Sequence, residues 1–374
     1  MTIVRNKDLT AWNTFGLKVS CACFVEYGSV AELEELWKRN RDGLGLPETG
    51  GAGDGTAFPS PILHIGRGSN LLFTKDFPGT VFHSDIKFIE AGGESCGITA
   101  GETAGDRRTD VEVGAGVLWD DFCRWSAEQG LWGPENLSGI PGETGAAAVQ
   151  NIGAYGVEAK DFIRMVKCFD CITGKVVAFR PSECRYGYRE SMFKTSAKGR
   201  YVVTSVCFSL SSGPNPKLEY GNVRAAVDKA LEDTGKSLTP ALVRDVILSV
   251  RNSKLPDPAV IGSAGSFFKN PVVPRSDYER VASIARIGHS DDCQVPHFDT
   301  GSGFIKIPAA WLIEQCGLKG YRDGNAAVYE RQPLVIVNLT GEASPEEILA
   351  VEKKVSDSVY SKFGIRLQPE VEHI

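Results

Sequence analysis

Two stretches of the chain combine bare backbone with polar side chains. They are GRGSN at 66–70 and GIPGETGAAAVQNIGAYG at 139–156, the second with five glycines in eighteen residues. Backbone N–H groups in such turns form concavities that bind anions, and a missing Cβ lets a diphosphate come close to the peptide. Ser69 and Asn70 add side-chain donors to the first stretch, and Gln150, Asn151 and Tyr155 stand in the second. Taken singly, each is also what a plain tight turn looks like. Together in one half of the chain, they suit an extended dinucleotide laid across both. A Rossmann fingerprint would need G-x-G-x-x-G between a strand and a helix, with an acidic residue about 20 positions on. That arrangement is missing here.

Thiols and imidazoles are the other reactive groups. Ten cysteines, at 21, 23, 96, 123, 168, 171, 184, 207, 293 and 316, are scattered over the chain, unlike the disulfide framework of a small secreted domain. Cys168 and Cys171 have the spacing of a redox pair or of half a zinc site. They lie in MVKCFDCITGKVVAF, which reads as strand, turn and strand, with no second Cys pair or paired His to complete a metal site. The expectation is buried thiols and no metal. The five histidines, at 64, 83, 289, 297 and 373, stand in no nucleophile-elbow context.

Elements that would position these groups are visible in the pattern. Ser29 and Glu32 form a capping-box signal before Leu33, Leu36 and Trp37 at helical spacing. The Gly- and Pro-rich stretch at 42–61 reads as an irregular loop or insertion. ILHIGRGSNLLFT reads as strand, glycine turn and strand, and TDVEVGAGVLWDDFCRWSAEQGLWG as a strand leading into a helix ended by Gly130. A linker, SSGPNPKLEYGN, precedes a helix signalled by Thr239 and Pro240. Further on, Ser276 with Glu279 reads as another capping box, PAAWLIEQCG as a short helix, and AAVYERQPLVIVNL as two strands. The last long helix starts at Ser344-Pro345 with Glu347 and ends at Gly364, before a strand-like tail, IRLQPEVEHI. No repeat of fixed period is present.

At 374 residues the chain exceeds one ordinary core, so two or three domains are expected. Its 42% hydrophobic and 24% charged residues exclude the disordered and fibrous classes. A formal net charge of −6 gives no reason to expect nucleic acid. The apolar run PLVIVNL is strand-sized, far short of the roughly 18 residues of a spanning helix. The N-terminal MTIVRNKDLTAWNTF lacks a basic head, an apolar core and a cleavage site. No secretory signal, no membrane insertion and a cytoplasmic location are therefore expected.

Eight stretches, in order, carry a family resemblance: NTFGL, GRGSNLLF, GIPGETGAAAVQNIGAYGVE, CRYGYRESMFK, RNSKLPDP, GSAGSFFKNP, WLIEQCGLKG and LQPEVE. Over nearly the whole chain they resemble the UDP-N-acetylenolpyruvoylglucosamine reductase (MurB) family. CRYGYRESMFK together with LEYGN is similar to the branch that retains a tyrosine-bearing substrate loop.

The resemblance implies an α+β fold: a two-lobed FAD-binding domain of the vanillyl-alcohol-oxidase-like (PCMH-type) fold plus a C-terminal α+β substrate-binding domain. The expected boundaries are 1–88 for the first lobe, 89–254 for the second and 255–364 for the substrate domain, with the tail 365–374 returning to the active site. It implies a monomer that holds FAD non-covalently, takes hydride from NADPH and passes it to UDP-N-acetylglucosamine enolpyruvate. The product would be UDP-N-acetylmuramate, a peptidoglycan precursor.

By the same resemblance, hydride from the reduced flavin N5 adds to the terminal enolpyruvyl carbon and drives charge into the adjacent carboxylate. Arg189 and Glu370 would stabilise that enolate and Ser266 would protonate the neighbouring carbon. Glu370 can help an anion only as a protonated acid or hydrogen-bond partner, which requires a raised pKa. The implied flavin contacts are Gly66, Gly68, Ser69, Asn70, Ile140, Pro141, Gly142, Gln150, Asn151, Ile152, Gly153, Tyr155, Gly156 and Arg251. The implied substrate contacts are Tyr188, Tyr220, Lys254, Asn270 and Gln315, with Tyr220 and Lys254 suited to the UDP diphosphate.

Read without the family, these residues are ordinary. Arg189 is a surface ion pair with Glu190, Ser266 a turn hydroxyl, Glu370 a solvated carboxylate, Tyr220 a linker aromatic and Lys254 a helix-terminal charge. Three other functions compete. One is an FAD oxidase of the same fold returning electrons to oxygen; another is a flavin-free UDP-sugar sensor; the third is a thiol-redox protein using Cys168 and Cys171. The stretches 42–61 and 91–110 look like insertions relative to the family, and Glu372 stands where relatives can carry a basic residue.

Overall fold

The computed structural model describes residues 1–40, 58–92, 108–288, 294–301 and 303–374. Most of the stretches 42–61 and 91–110, together with Cys96, His289 and Cys293, lie outside the described residues. The chain forms two compact units. The first comprises 1–7, 20–67 and 77–253, and the second 8–19, 68–76 and 254–374.

The first unit is built on two sheets. Strands Thr2–Asp8, Ser20–Tyr27, Phe77–Ser84 and Ile62–Ile65 form one, in that order, with the last three mutually parallel. Helix Val30–Arg39 buries Leu33 and Leu36. Its cap differs in one respect from a reciprocal box: Ser29 accepts from the Glu32 N–H, but the Glu32 carboxylate accepts from Gly28. The second sheet is antiparallel, in the order Lys175–Phe179, Ile163–Asp170, Tyr201–Ser211, Arg108–Gly114 and Ile89–Ala91. Its central strand, YVVTSVCFSLS, is buried along nearly its whole length, so it is apolar and β-branched on both faces.

Helix Trp119–Glu128 covers this sheet with Trp119 and Phe122. The Phe122 and Phe208 rings stack at 4.6 Å, and Phe162 closes on Phe208 at 5.6 Å. Each such fully buried side chain contributes roughly 1.5–3 kcal/mol of burial free energy. Helices Val223–Thr234 and Pro240–Lys254 form a satellite core with Trp132. Thr239 caps the second of them by accepting from Leu242.

In the second unit, Gly262–Ser266, Val335–Asn338, Ala326–Val328 and Arg322–Asp323 make an antiparallel sheet. Helix Pro345–Phe363 buries Ile348, Val351, Val355, Val359 and Phe363 at three- and four-residue spacing, its apolar stripe. The NTFGL segment is fastened here. Ser263 donates to Thr14 O at 2.8 Å and Asn338 Nδ2 to Phe15 O at 2.9 Å. Asn13 closes the loop on itself, donating to Leu9 O and Leu17 O and accepting from the Leu17 N–H. A smaller sheet joins Val272–Pro274, Phe304–Lys306 and Phe298–Asp299.

The two serines read alike from sequence behave differently. Ser344 completes a reciprocal capping box with Glu347, with Pro345 behind it. Ser276 does not cap, because helix Arg275–Gly288 starts two residues earlier than that box requires, directly after the strand ending at Pro274. The Arg275 N–H is satisfied instead by Gly303 O at 3.0 Å. Ser344→Ala is therefore expected to lower unfolding free energy by about 1 kcal/mol, whereas Ser276→Ala leaves it within roughly 0.5 kcal/mol. Urea titration of both variants checks this.

Candidate active site

The glycine-rich run at 139–156 belongs to the first unit and is not irregular throughout. It contains a short helix, Thr144–Gln150, closed by Asn151 in the left-handed region at φ 46°. Part of its small-residue composition is a packing requirement. A Cβ on Gly145 would sit 2.9 Å from Ala115 Cβ, and the Gly145 N–H bonds Ala115 O at 3.0 Å, so this helix lies directly on neighbouring backbone. Pro141 and Gly156 are exposed, and Ile140, Gly142, Gln150, Ile152, Gly153 and Tyr155 are half-buried. Asn151 is fully buried. It donates to Glu158 Oε2 at 3.0 Å and Gly187 O at 2.9 Å, and accepts from Lys160 N at 3.1 Å.

The run is held from outside. Asp120 accepts from the Gly139 N–H at 2.6 Å and takes both arms of the Arg244 guanidinium at 2.8 Å. Burial opposes ionisation of Asp120, but Arg244 and the Gly139 N–H outweigh it and hold the carboxyl below its usual range. Arg251 donates to Gly139 O at 3.2 Å and hydrogen-bonds the Tyr155 hydroxyl, whose pKa is raised by burial. The Tyr155 ring meets Tyr220 edge-on at 6.3 Å, and Tyr155 O accepts from Asn136 Nδ2 at 3.0 Å. Tyr155, Tyr220 and Arg251 are thus brought together.

Gly66, at the start of the other turn, faces Glu143, whose carboxylate would stand 3.0 Å from a Cβ there. Glu143 is bound to His83 Nε2 at 2.9 Å, and His83 Nδ1 lies 3.0 Å from Glu26. Burial raises the pKa of Glu143 in spite of His83, Arg67 and Lys87. His64 packs against the Phe82 ring at 5.2 Å. Tyr188 is exposed, beside the Arg189 guanidinium at 5.5 Å, and Arg189 donates to Gly153 O.

Gly68, Ser69, Asn70, Lys254, Ser266, Asn270, Gln315 and Glu370 belong to the second unit. Asn70, Ser266 and Glu370 are brought together there. The Glu370 N–H bonds Phe267 O at 2.8 Å, Phe268 bridges Pro369, and Asn70 Nδ2 donates to Glu370 O at 3.0 Å. The tail then pairs with Leu71–Leu72 through Glu372–His373 in a short parallel ladder. Ser266 ends its strand after a bulge containing Gly265 at φ 70°, which re-aims the side chain relative to regular alternation. Asn270 Oδ1 caps helix Ala309–Gln315 by accepting from Ala309, and Gln315 O accepts from Lys362. Lys254 is the exposed last residue of its helix.

Cys168 and Cys171 are buried, and burial pushes Cys171 up to about 12 and Cys168 well above the ordinary thiol value. Thiolate chemistry is disfavoured at both. Among the described residues, no cluster of three or more His, Cys, Asp or Glu could hold a metal ion, and no helix is long and apolar enough to cross a membrane.

Residues 257–374 match the C-terminal domain family of UDP-N-acetylenolpyruvoylglucosamine reductase, and residues 57–180 match the FAD binding domain family. The chain is 44% identical to the UDP-N-acetylenolpyruvoylglucosamine reductase of Bacteroides fragilis over 98% of both chains. It is 42% identical to that of Chromobacterium violaceum, over 97% of this chain and 96% of the relative. The chain belongs to the UDP-N-acetylenolpyruvoylglucosamine reductase family. It is thus an oxidoreductase of the class EC 1.3.1.98, with an FAD-binding domain. The crystal structure of the Thermus caldophilus reductase is similar in fold at a TM-score of 0.61 and 22% identity, covering 100% of this chain and 98% of that one. The α+β flavoprotein architecture expected from the resemblance holds, and family membership sets aside the oxidase, sensor and thiol-redox alternatives.

Asp120, Arg244, His83 and Glu143 carry no signal in the sequence that marks them for the site, because their roles depend on partners far away in the chain. For Asp120 the sign of the pH effect is fixed by its depressed folded value. Its stabilisation is fully present above the unfolded value of 3.8 and is lost as pH falls through the folded one. Asp120→Asn is expected to lower urea stability at neutral pH, and the gap to the unaltered protein should narrow at about pH 3.

Proposed function

We propose that the chain reduces UDP-N-acetylglucosamine enolpyruvate to UDP-N-acetylmuramate with NADPH as hydride donor, in the cytoplasm, where both nucleotides are available. The residues present suit a bound FAD. The run at 139–156 offers half-buried and exposed backbone at glycines 139, 142 and 156, all with positive φ and without a side chain of their own to stand between a ligand and the peptide. Gly66, Gly68, Ser69, Asn70, Ile140, Pro141, Gly142, Gln150, Asn151, Ile152, Gly153, Tyr155, Gly156 and Arg251 are the residues that would hold it. FAD, when bound, supplies hydride transfer between NADPH and the enolpyruvyl group.

The chain's own residues then manage charge and protons. Tyr188, Tyr220, Lys254, Asn270 and Gln315 bind the substrate, with the Lys254 ammonium on its diphosphate. Arg189 offers a guanidinium to the substrate carboxylate, where negative charge grows during reduction. Glu370 assists as a hydrogen-bond donor, and Ser266 delivers a proton to the carbon beside that carboxylate.

The observation that carries this reading is the bonding of the tail to Phe267 and Phe268, the residues that directly follow Ser266. The Glu370 N–H donates to Phe267 O at 2.8 Å, so the backbone of Glu370 lies beside the residue next to Ser266 although the two are far apart in sequence, which supports a shared role. Ser266→Ala should retain flavin and NADPH-driven flavin reduction but form product about 10²-fold more slowly or worse. Anaerobic mixing of NADPH-reduced protein with the enolpyruvyl nucleotide, followed by flavin absorbance and product analysis, tests it. Undiminished product formation in Ser266→Ala would remove the proton-donor role.

A further inference from the structure

The loop that carries Arg189 is fastened to the end of the glycine-rich run at four places, all within the first unit. Ser191 Oγ donates to Val149 O at 2.6 Å, Asn151 Nδ2 to Gly187 O at 2.9 Å, and the Arg189 guanidinium to Gly153 O. The fourth tie is double: Lys194 Nζ donates to Gln150 Oε1 at 2.7 Å and to Arg189 O at 3.2 Å.

The turn itself explains why so many ties are present. Gly187 and Glu190 exchange N–H···O bonds at 2.9 and 3.2 Å, and Arg189, the third residue of that turn, sits at φ 55°. A long side chain is disfavoured in the left-handed region, and such a conformation persists only where the surroundings over-determine it. Asn151 grips the carbonyl of the first residue of the turn. Lys194 grips the carbonyl of Arg189 itself. An ammonium has three donors and no acceptor, so a single lysine can hold the Arg189 carbonyl and the Gln150 amide oxygen at once.

We propose that Lys194 is a positioning residue for the reduction, holding Arg189 in its left-handed turn and tying that turn to the flavin-binding run through Gln150. The proposal rests on the reading of Arg189 as the cation that meets the growing carboxylate charge. Lys194 does not touch the reacting atoms; it sets where the guanidinium stands. Misplacement of a catalytic group by about 1 Å can cost up to about 10²-fold in rate.

The test uses the flavin-loaded enzyme and a double-mutant cycle of Lys194→Met and Arg189→Ala, with the two half-reactions measured separately. Lys194→Met should slow flavin reoxidation by the enolpyruvyl nucleotide about 10- to 100-fold, while flavin content stays full and flavin reduction by NADPH stays within about twofold. In the Arg189→Ala background the same lysine change should cost less than about twofold, since its effect passes through the guanidinium. A lysine effect of equal size in both backgrounds, or an equal loss in both half-reactions, overturns the proposal, as does unchanged reoxidation in Lys194→Met. Undiminished reoxidation in Arg189→Ala overturns the reading of Arg189 and the proposal with it. Where Lys194→Met does not fold, Lys194→Gln, which reaches one of the two acceptors, enters the same cycle with a smaller expected slowing. Loss of flavin or fold in both variants would make Lys194 structural and would also overturn the proposal.

Discussion

The run at 139–156 depends for its shape on groups that lie outside it, because a segment made of glycine and alanine has few side chains with which to hold itself. Glycine loses more conformational freedom on ordering than any other residue. Asp120 and Arg251 answer this at the Gly139 end by taking its N–H and its carbonyl. Ser191 and Lys194 answer it further along, where the short helix closes. The exposed surface of the run is left as plain peptide, which is the chemistry a diphosphate needs.

Charge follows the same arrangement. Asp120 is ionised because Arg244 meets it with two parallel hydrogen bonds. Glu143 is bonded to a histidine, and burial nonetheless pushes its carboxyl the other way. The two acids act near the start of the same run with opposite tendencies, one held as an anion and one drawn toward its neutral form.

In the second unit the constraint is covalent distance along the chain. Ser266 and Glu370 become neighbours only because the C-terminal tail lays its N–H groups on the Phe267 carbonyl and on Asn70 O. Asn70 returns the contact through its side chain. One asparagine of the first glycine turn, the tail at Glu370 and the residue after Ser266 are therefore parts of one hydrogen-bonded patch. A bulge at Gly265 adjusts the direction of Ser266 within it.

Local chemistry was legible before any folding. Helix Pro345–Phe363 was readable from Ser344, Glu347 and Gly364, and helix Pro240–Lys254 from Thr239 and Pro240, since caps are interactions between residues a few positions apart. The same signal misled at Ser276, where the end of a strand brought the helix in two residues early. Ordered motifs carried the family and, with it, the candidates Arg189, Ser266 and Glu370. What no pattern carried was who touches whom: Asp120 with Arg244, His83 between two glutamates, Lys194 astride Gln150 and the Arg189 carbonyl. Nor could it show that 8–19 and 68–76 fold with the C-terminal residues. The sequence by itself determined the elements, the bare backbone and the kind of chemistry, because these depend on residue type and short spacing. Only the tertiary structure decided the partners of the charged groups and the left-handed setting of Arg189, because those depend on contacts whose sequence separation leaves no periodic trace.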